Sequence, residues 1–140
     1  MVSRSAEYAL RAVVWLAENP ETTLSAARIA QRTRVPQGYL STKVLPALTR
    51  AGLVESSPGR AGGVRLARSP EAISLLDVVN AVDPCRRVLC CPLGLETHQP
   101  ELCPLHRRLD EAAAMVEQAF AETTVAEMLM EPVKPFCESA

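Results

Sequence analysis

Helical spacing of apolar residues over most of the chain, a Gly-rich hairpin signature between 53 and 67, and opposite charge in the two halves predict a mainly α fold with a small β wing. The architecture expected is a winged helix-turn-helix over 1–83, then a cysteine-rich loop over 84–104. A long dimerisation helix with a short terminal helix follows over 105–131, and a loose tail closes the chain over 132–140. At 140 residues and 48% apolar content, the chain suits one compact core with an appended element and is too short for two enzyme-sized domains.

Residues 4–18 are rich in helix formers, apolar on nearly every side, and stop before Asn19-Pro20, which predicts a helix buried between layers. Residues 25–33 set Ala26, Ala27, Ile29 and Ala30 on one side of a short helix, where small side chains admit a close neighbour. A turn is expected at Arg34-Val35-Pro36. From Gln37 to Ala51 the apolar residues Leu40, Val44, Leu45 and Leu48 recur at helical spacing, Gly52 supplies a C-terminal cap, and Pro46 should kink or loosen the helix.

Two short strands, 53–56 and 64–67, flank Pro58-Gly59-Arg60-Ala61-Gly62-Gly63, the signature of a hairpin with a flexible tip. Residues 74–82 form an amphipathic helix that ends near Asp83-Pro84. Residues 104–123 carry Leu105, Leu109, Ala112, Val116, Ala119 and Phe120 at three- and four-residue spacings, the seam of a helix that packs on a partner helix. A last short helix over 124–130 opens with the capping-box pattern Thr124-Val125-Ala126-Glu127.

The net charge of -1 conceals a division. Residues 1–70 carry ten Lys and Arg against four acids, whereas 71–140 carry five against twelve. Positive charge confined to one half is what a phosphate-binding surface needs, although a solvated basic face has the same composition. The start of the chain lacks the pattern of a signal peptide and no apolar run approaches a membrane span, so a cytoplasmic location without a membrane partner is expected.

Two helices across a tight turn followed by a Gly- and Arg-bearing hairpin fit a protein whose second helix enters the major groove of double-stranded DNA. The reading end comprises Gln37, Gly38, Tyr39, Ser41, Thr42 and Lys43, short or polar side chains at a helix N-terminus with free backbone N–H groups. Arg60 at the wing tip has the sign and freedom to reach the adjacent minor groove. Leu40 is expected in the core, and Arg65 and Arg68 serve equally well as solvated wing residues.

Four of the five cysteines crowd into residues 85–103, in the pattern Cys85-x4-Cys90-Cys91-x11-Cys103-x2-His106. Soft thiolates with one imidazole suit zinc or an iron-sulfur cluster, and Arg86, Arg87, Arg107 and Arg108 flank them. Cys103 precedes Pro104 at the start of a helix, so the helix dipole favours its thiolate, and His106 lies one turn further on. Adjacent Cys90 and Cys91 diverge, and the repeated Cys-Pro-Leu at 91 and 103 favours Cys91 as the ligand. Cys137 is expected to be idle and His98 to decorate a loop. A thiol oxidoreductase is disfavoured, because no Cys-x-x-Cys sits on a strand-helix unit, so no enzymatic activity is expected.

Together these residues resemble the dimeric winged-helix regulators that include the iron-sulfur cluster assembly regulator and the nitric-oxide-sensitive repressor. The marks are Glu7-Tyr8-Ala9-Leu10-Arg11, Ile29-Ala30 with Tyr39-Leu40, Ala51-Gly52-Leu53-Val54, Gly62-Gly63 with Arg65-Leu66-Ala67, and Leu76-Asp77-Val78-Val79. The resemblance covers almost the whole chain. It implies a homodimer on a partly palindromic operator, with affinity set by an iron-sulfur cluster, 2Fe-2S favoured over 4Fe-4S. It maps three ligands to Cys85, Cys91 and Cys103, with the fourth from His106 or from Glu7 of the first helix of the other subunit. The gap of eleven residues before Cys103 departs from a family gap of about five. Ligand sets of Cys91, Cys103, His106 and Glu7, or sets using Cys90, therefore stand beside that mapping, as do a cluster-free thiol switch and a zinc-stabilised regulator.

Overall fold

A computed structural model of the chain describes residues 2–96 and 101–131. The readings of His98, Cys137 and the tail lie outside the described residues. Helix α1 (Arg4–Glu18) begins where the Ser3 hydroxyl accepts the Ala6 N–H at 3.1 Å, and it buries Ala6, Ala9, Ala12, Val13, Leu16 and Ala17. It packs against the second, fifth and seventh helices and against the wing, the between-layers position its composition predicts.

Helix α2 (Ala26–Thr33) is capped by Ser25 and buries Ile29 and Ala30. Ala27, expected beside them, is exposed, because an eight-residue helix touches the core along one stripe and Ala27 falls outside it. The turn closes with Arg34 in the left-handed region at φ 56° and the Val35 N–H donating to the Ala30 carbonyl at 3.2 Å.

The next helix is continuous but not uniform. It runs as α3 (Gln37–Tyr39), a π-turn (Leu40–Val44) and α4 (Leu45–Arg50). Pro46 has no N–H to donate and in a regular α-turn its ring would crowd the carbonyl four residues back, and the helix widens into a π-turn just before it. The far end is a Schellman motif: Gly52, at φ 71°, donates to the Thr49 carbonyl and Leu53 to the Leu48 carbonyl, both at 3.0 Å.

The wing pairs β1 (Val54–Ser57) with β2 (Gly63–Leu66) antiparallel, Val54 opposite Leu66 and Ser57 opposite Gly63. The first strand starts one residue later than expected because Leu53 is taken up by the helix cap, and the second starts one earlier because Gly63 pairs with Ser57. Leu24 bridges to Val64 through two backbone bonds of 2.9 and 2.8 Å. A Cβ on Gly63 would stand 2.8 Å from the Leu24 backbone, so only glycine permits that approach.

A 3-10 turn (Pro70–Ala72), which helical periodicity does not reveal, leads into α5 (Leu75–Val82). Helix α6 (Pro104–Glu122) and α7 (Val125–Met130) follow the cysteine loop. Ser74 and Thr124 each head a capping box, and the two caps lie side by side. Leu75 donates to the Thr123 carbonyl and Val125 to the Ile73 carbonyl, both at 2.9 Å. Val125 thereby joins Leu16, Ile29, Leu40, Leu48, Ile73 and Val78 in one core. By contrast α6 buries no residue: Leu105, Leu109 and Met115 are exposed, while Val116 and Phe120 are half-buried. Among the described residues no helix is long and apolar enough to cross a membrane.

Candidate functional site

Two sets of residues stand out, one on the helix-turn-helix and wing, the other on the cysteine loop. Buried Leu40 and Val44 anchor the π-turn to the core and leave Ser41, Thr42 and Lys43 facing solvent between them. Gln37 and Gly38 are exposed at the start of the helix. The Thr42 hydroxyl donates to the Gly38 carbonyl at 2.6 Å, which fixes that side chain against the first turn. Tyr39 is less available: its hydroxyl shares a hydrogen bond of 2.5 Å with Ser5, and its ring meets Tyr8 edge-on at 5.9 Å.

Arg60 is exposed just beyond Gly59, whose φ of 95° turns the wing tip. It lines a cleft of about 470 Å³ together with Arg28, Thr22, Thr23 and Ser25, which brings wing and α2 to one basic surface. Arg28 was not among the expected contacts. The available signal was a basic residue three positions after the N-cap Ser25, one turn from free N–H groups. Arg65 pairs with Glu55 across the hairpin, and Arg68 reaches Asp77 and the Ala72 carbonyl, so these two stabilise the wing and its neighbour.

On the cysteine loop, Cys103 is the N-cap of α6 with Pro104 at the first helical position, as its sequence context predicts. Its Sγ stands 3.2 Å from Nδ1 of His106. Cys91 is buried, at 6% exposure, whereas Cys90 next to it is exposed. Cys85 is half-buried and its N–H donates to the Asn80 side chain at 3.1 Å. Glu7 forms an ion pair with Arg11 one turn along α1, and Arg11 also donates to the Thr33 carbonyl at 3.3 Å. The fold thus joins Cys103 with His106. Among the described residues, no three Cys, His, Asp or Glu side chains gather in one chain as a metal site.

The loop is tied to α6 by a contact that no local pattern reveals. Arg87 grips Asp110 with two bonds of 2.7 Å, and the Val88 N–H donates to the same carboxylate at 2.9 Å. The Arg87 hydrogen bonds hold the Asp110 carboxyl below its ordinary range against opposing desolvation, and the Val88 N–H adds to the effect. Asp110 in turn raises the pKa of the Arg87 guanidinium.

A helix-turn-helix with a basic wing, its exposed polar helix end and its buried helical scaffold define a winged-helix DNA-binding transcriptional regulator. The pattern of the Rrf2 family, described as iron-dependent transcriptional regulators, matches residues 2–131, and the chain belongs to that family. It is 34% identical over 128 residues to the HTH-type transcriptional regulator NsrR of Shouchella clausii, covering 89% of this chain and 85% of that one. Among solved structures, T. potens IscR superposes with a TM-score of 0.74 at 25% identity, covering 93% of this chain and 86% of that chain. CymR, the global cysteine regulator of B. subtilis, superposes with 0.75 at 26% identity, covering 95% and 98% respectively.

Proposed function

We propose that this regulator binds its operator as a homodimer and that an iron-sulfur cluster on the loop 84–103 controls its affinity. The observation that carries the reading is the Cys103–His106 pair, a sulfur and an imidazole nitrogen preassembled at the head of the long helix. Two such donors fit half of a cluster's protein ligation. Cys91 and Cys85 on the loop and Glu7 on α1 are the further candidates. Because no three donors converge among the described residues of one chain, a complete set in this reading draws on a rearranged loop or on the second subunit. When bound, the cluster supplies a centre whose charge and integrity change with oxidant or iron supply.

The chain's own residues offer a route from that centre to DNA. Arg87 and Asp110 couple the loop to α6, whose exposed leucines form the expected dimer seam. At the other end of the route, Arg11 links α1 to the end of α2, and Ser5 and Tyr8 link it to Tyr39. A shift of α1 or α6 changes the separation of the two reading helices, and half-site spacing makes operator affinity sensitive to that separation. In this reading Gln37, Gly38, Ser41, Thr42 and Lys43 face base edges, Tyr39 braces the reading end, and Arg60 reaches the minor groove.

Anaerobic purification followed by visible absorption and iron, sulfide and zinc analysis tests the proposal. A coloured protein with matched iron and sulfide is expected. Zinc in a colourless protein would assign a structural metal instead. Metal-free protein that also resists reconstitution would overturn the cluster and leave a thiol switch. Exposed Cys90 beside buried Cys91, with no three-donor group among the described residues of one chain, favours that second reading.

A further inference from the structure

Resting on the reading of residues 37–43 as the base-contacting end, we propose that Pro46 sets which bases this regulator prefers. It does so by holding a π-turn inside the reading helix. The lower half of that helix is fixed to the core by buried Leu45, Ala47 and Leu48. Above it the Leu45 N–H donates to the Leu40 carbonyl, a five-residue step. A regular α-turn would send that bond to Ser41 and press the Thr42 carbonyl against the Pro46 ring. Proline removes one donor and adds one clash, and the wide turn answers both.

One extra residue in a turn rotates everything N-terminal to it by about 100° relative to an uninterrupted α-helix. Gln37 and Gly38 are therefore aimed by the turn and not by the axis of the anchored half. Leu40 and Val44, almost fully buried, pin the turn in place, and the Thr42 hydroxyl on the Gly38 carbonyl ties its outer edge to the first residues. Pairing with base edges depends on such aim, whereas phosphate contacts tolerate its loss. Pro46 is thus a positioning residue for specificity.

The test selects preferred sites from a randomised DNA duplex library with the full chain, its Pro46→Ala variant and its Gln37→Ala/Ser41→Ala variant. Affinities for the selected and a scrambled duplex, and thermal melting, are then measured. Alanine is a good helix former, but closing the π-turn moves buried Leu40 and Val44, so Pro46→Ala should fold and melt below the parent in a single cooperative transition. It is expected to enrich a different site and to lose about ten-fold in preference for the parental one, the discrimination of a single base contact. Its scrambled-duplex affinity should stay within about two-fold, since phosphate contacts supply it.

The same enriched site with unchanged preference would overturn the proposal, as would equal loss of specific and non-specific affinity. If Gln37→Ala/Ser41→Ala changes the preference and Pro46→Ala does not, the Pro46 inference alone has failed. If neither changes it, the base-contact assignment has failed and takes the inference with it.

Discussion

Replacing Glu7 with Gln separates the stability of the fold from the proposed iron-sulfur site. Glu7 and Arg11 form an i,i+4 pair on α1 with side chains 54% and 45% exposed. Exposed helical pairs of this kind stabilise by about 0.3–0.5 kcal/mol. At about 4 °C per kcal/mol for a domain of this size, the metal-free variant should melt within about 2 °C of the parent. Arg11 keeps its bond to the Thr33 carbonyl, so the helix-turn-helix should persist. Against that small structural cost, if Glu7 ligates the proposed cluster, its replacement should reduce iron retention by about ten-fold or more, since even changes around a metal's ligands cost that much. The assay is paired: melting of the metal-free proteins, then visible absorption and iron content of anaerobic preparations. Unchanged spectrum and iron would refute Glu7 as a ligand. A fall in melting temperature beyond about 5 °C would refute the argument that the pair is a surface contact.

Val125→Ala should cost about 2 kcal/mol and lower the melting temperature by about 8 °C, because a fully buried side chain is shortened where α7 meets the core. Arg28→Ala and Arg60→Ala should each lower the slope of log affinity against log salt by about one, and together by about two; an unchanged slope would remove that cleft from the DNA surface. Asp110 has a depressed pKa in the folded chain, so its contribution is present above the ordinary carboxyl range and is lost as pH falls through the folded value. Amide exchange at Val88, corrected for intrinsic rate, should therefore show protection that declines in acid and is low at every pH in Asp110→Ala.

What the sequence discloses depends on how local the cause is. The cap at Thr124, the Gly52 stop and the burial of Leu40 follow from neighbours within a turn or two, and each takes its expected place. The effect of Pro46 was legible as a loosening, yet its form, a π-turn that rotates the reading end, depends on where buried Leu40 and Val44 settle. Ala27 was misplaced because a short helix leaves its contact stripe poorly defined. The Arg87–Asp110 clamp and the Ser5–Tyr39 bond join residues far apart in the chain, with no periodicity to announce them. Cysteine density declares soft-ligand chemistry, but only Cys103 and His106 share a helical turn, and so only their meeting was predictable from spacing.

The pairing of the Ser74 and Thr124 caps has a consequence for the order of biosynthesis. Val125 completes a core whose other members all precede residue 80, so one side of that core stays uncovered while the chain is still emerging short of its last described helix. By then the whole thiol segment has already left the ribosome. The helix-turn-helix body and the thiol segment therefore mature together, and a nascent chain arrested before the last described helix would expose an open apolar slot.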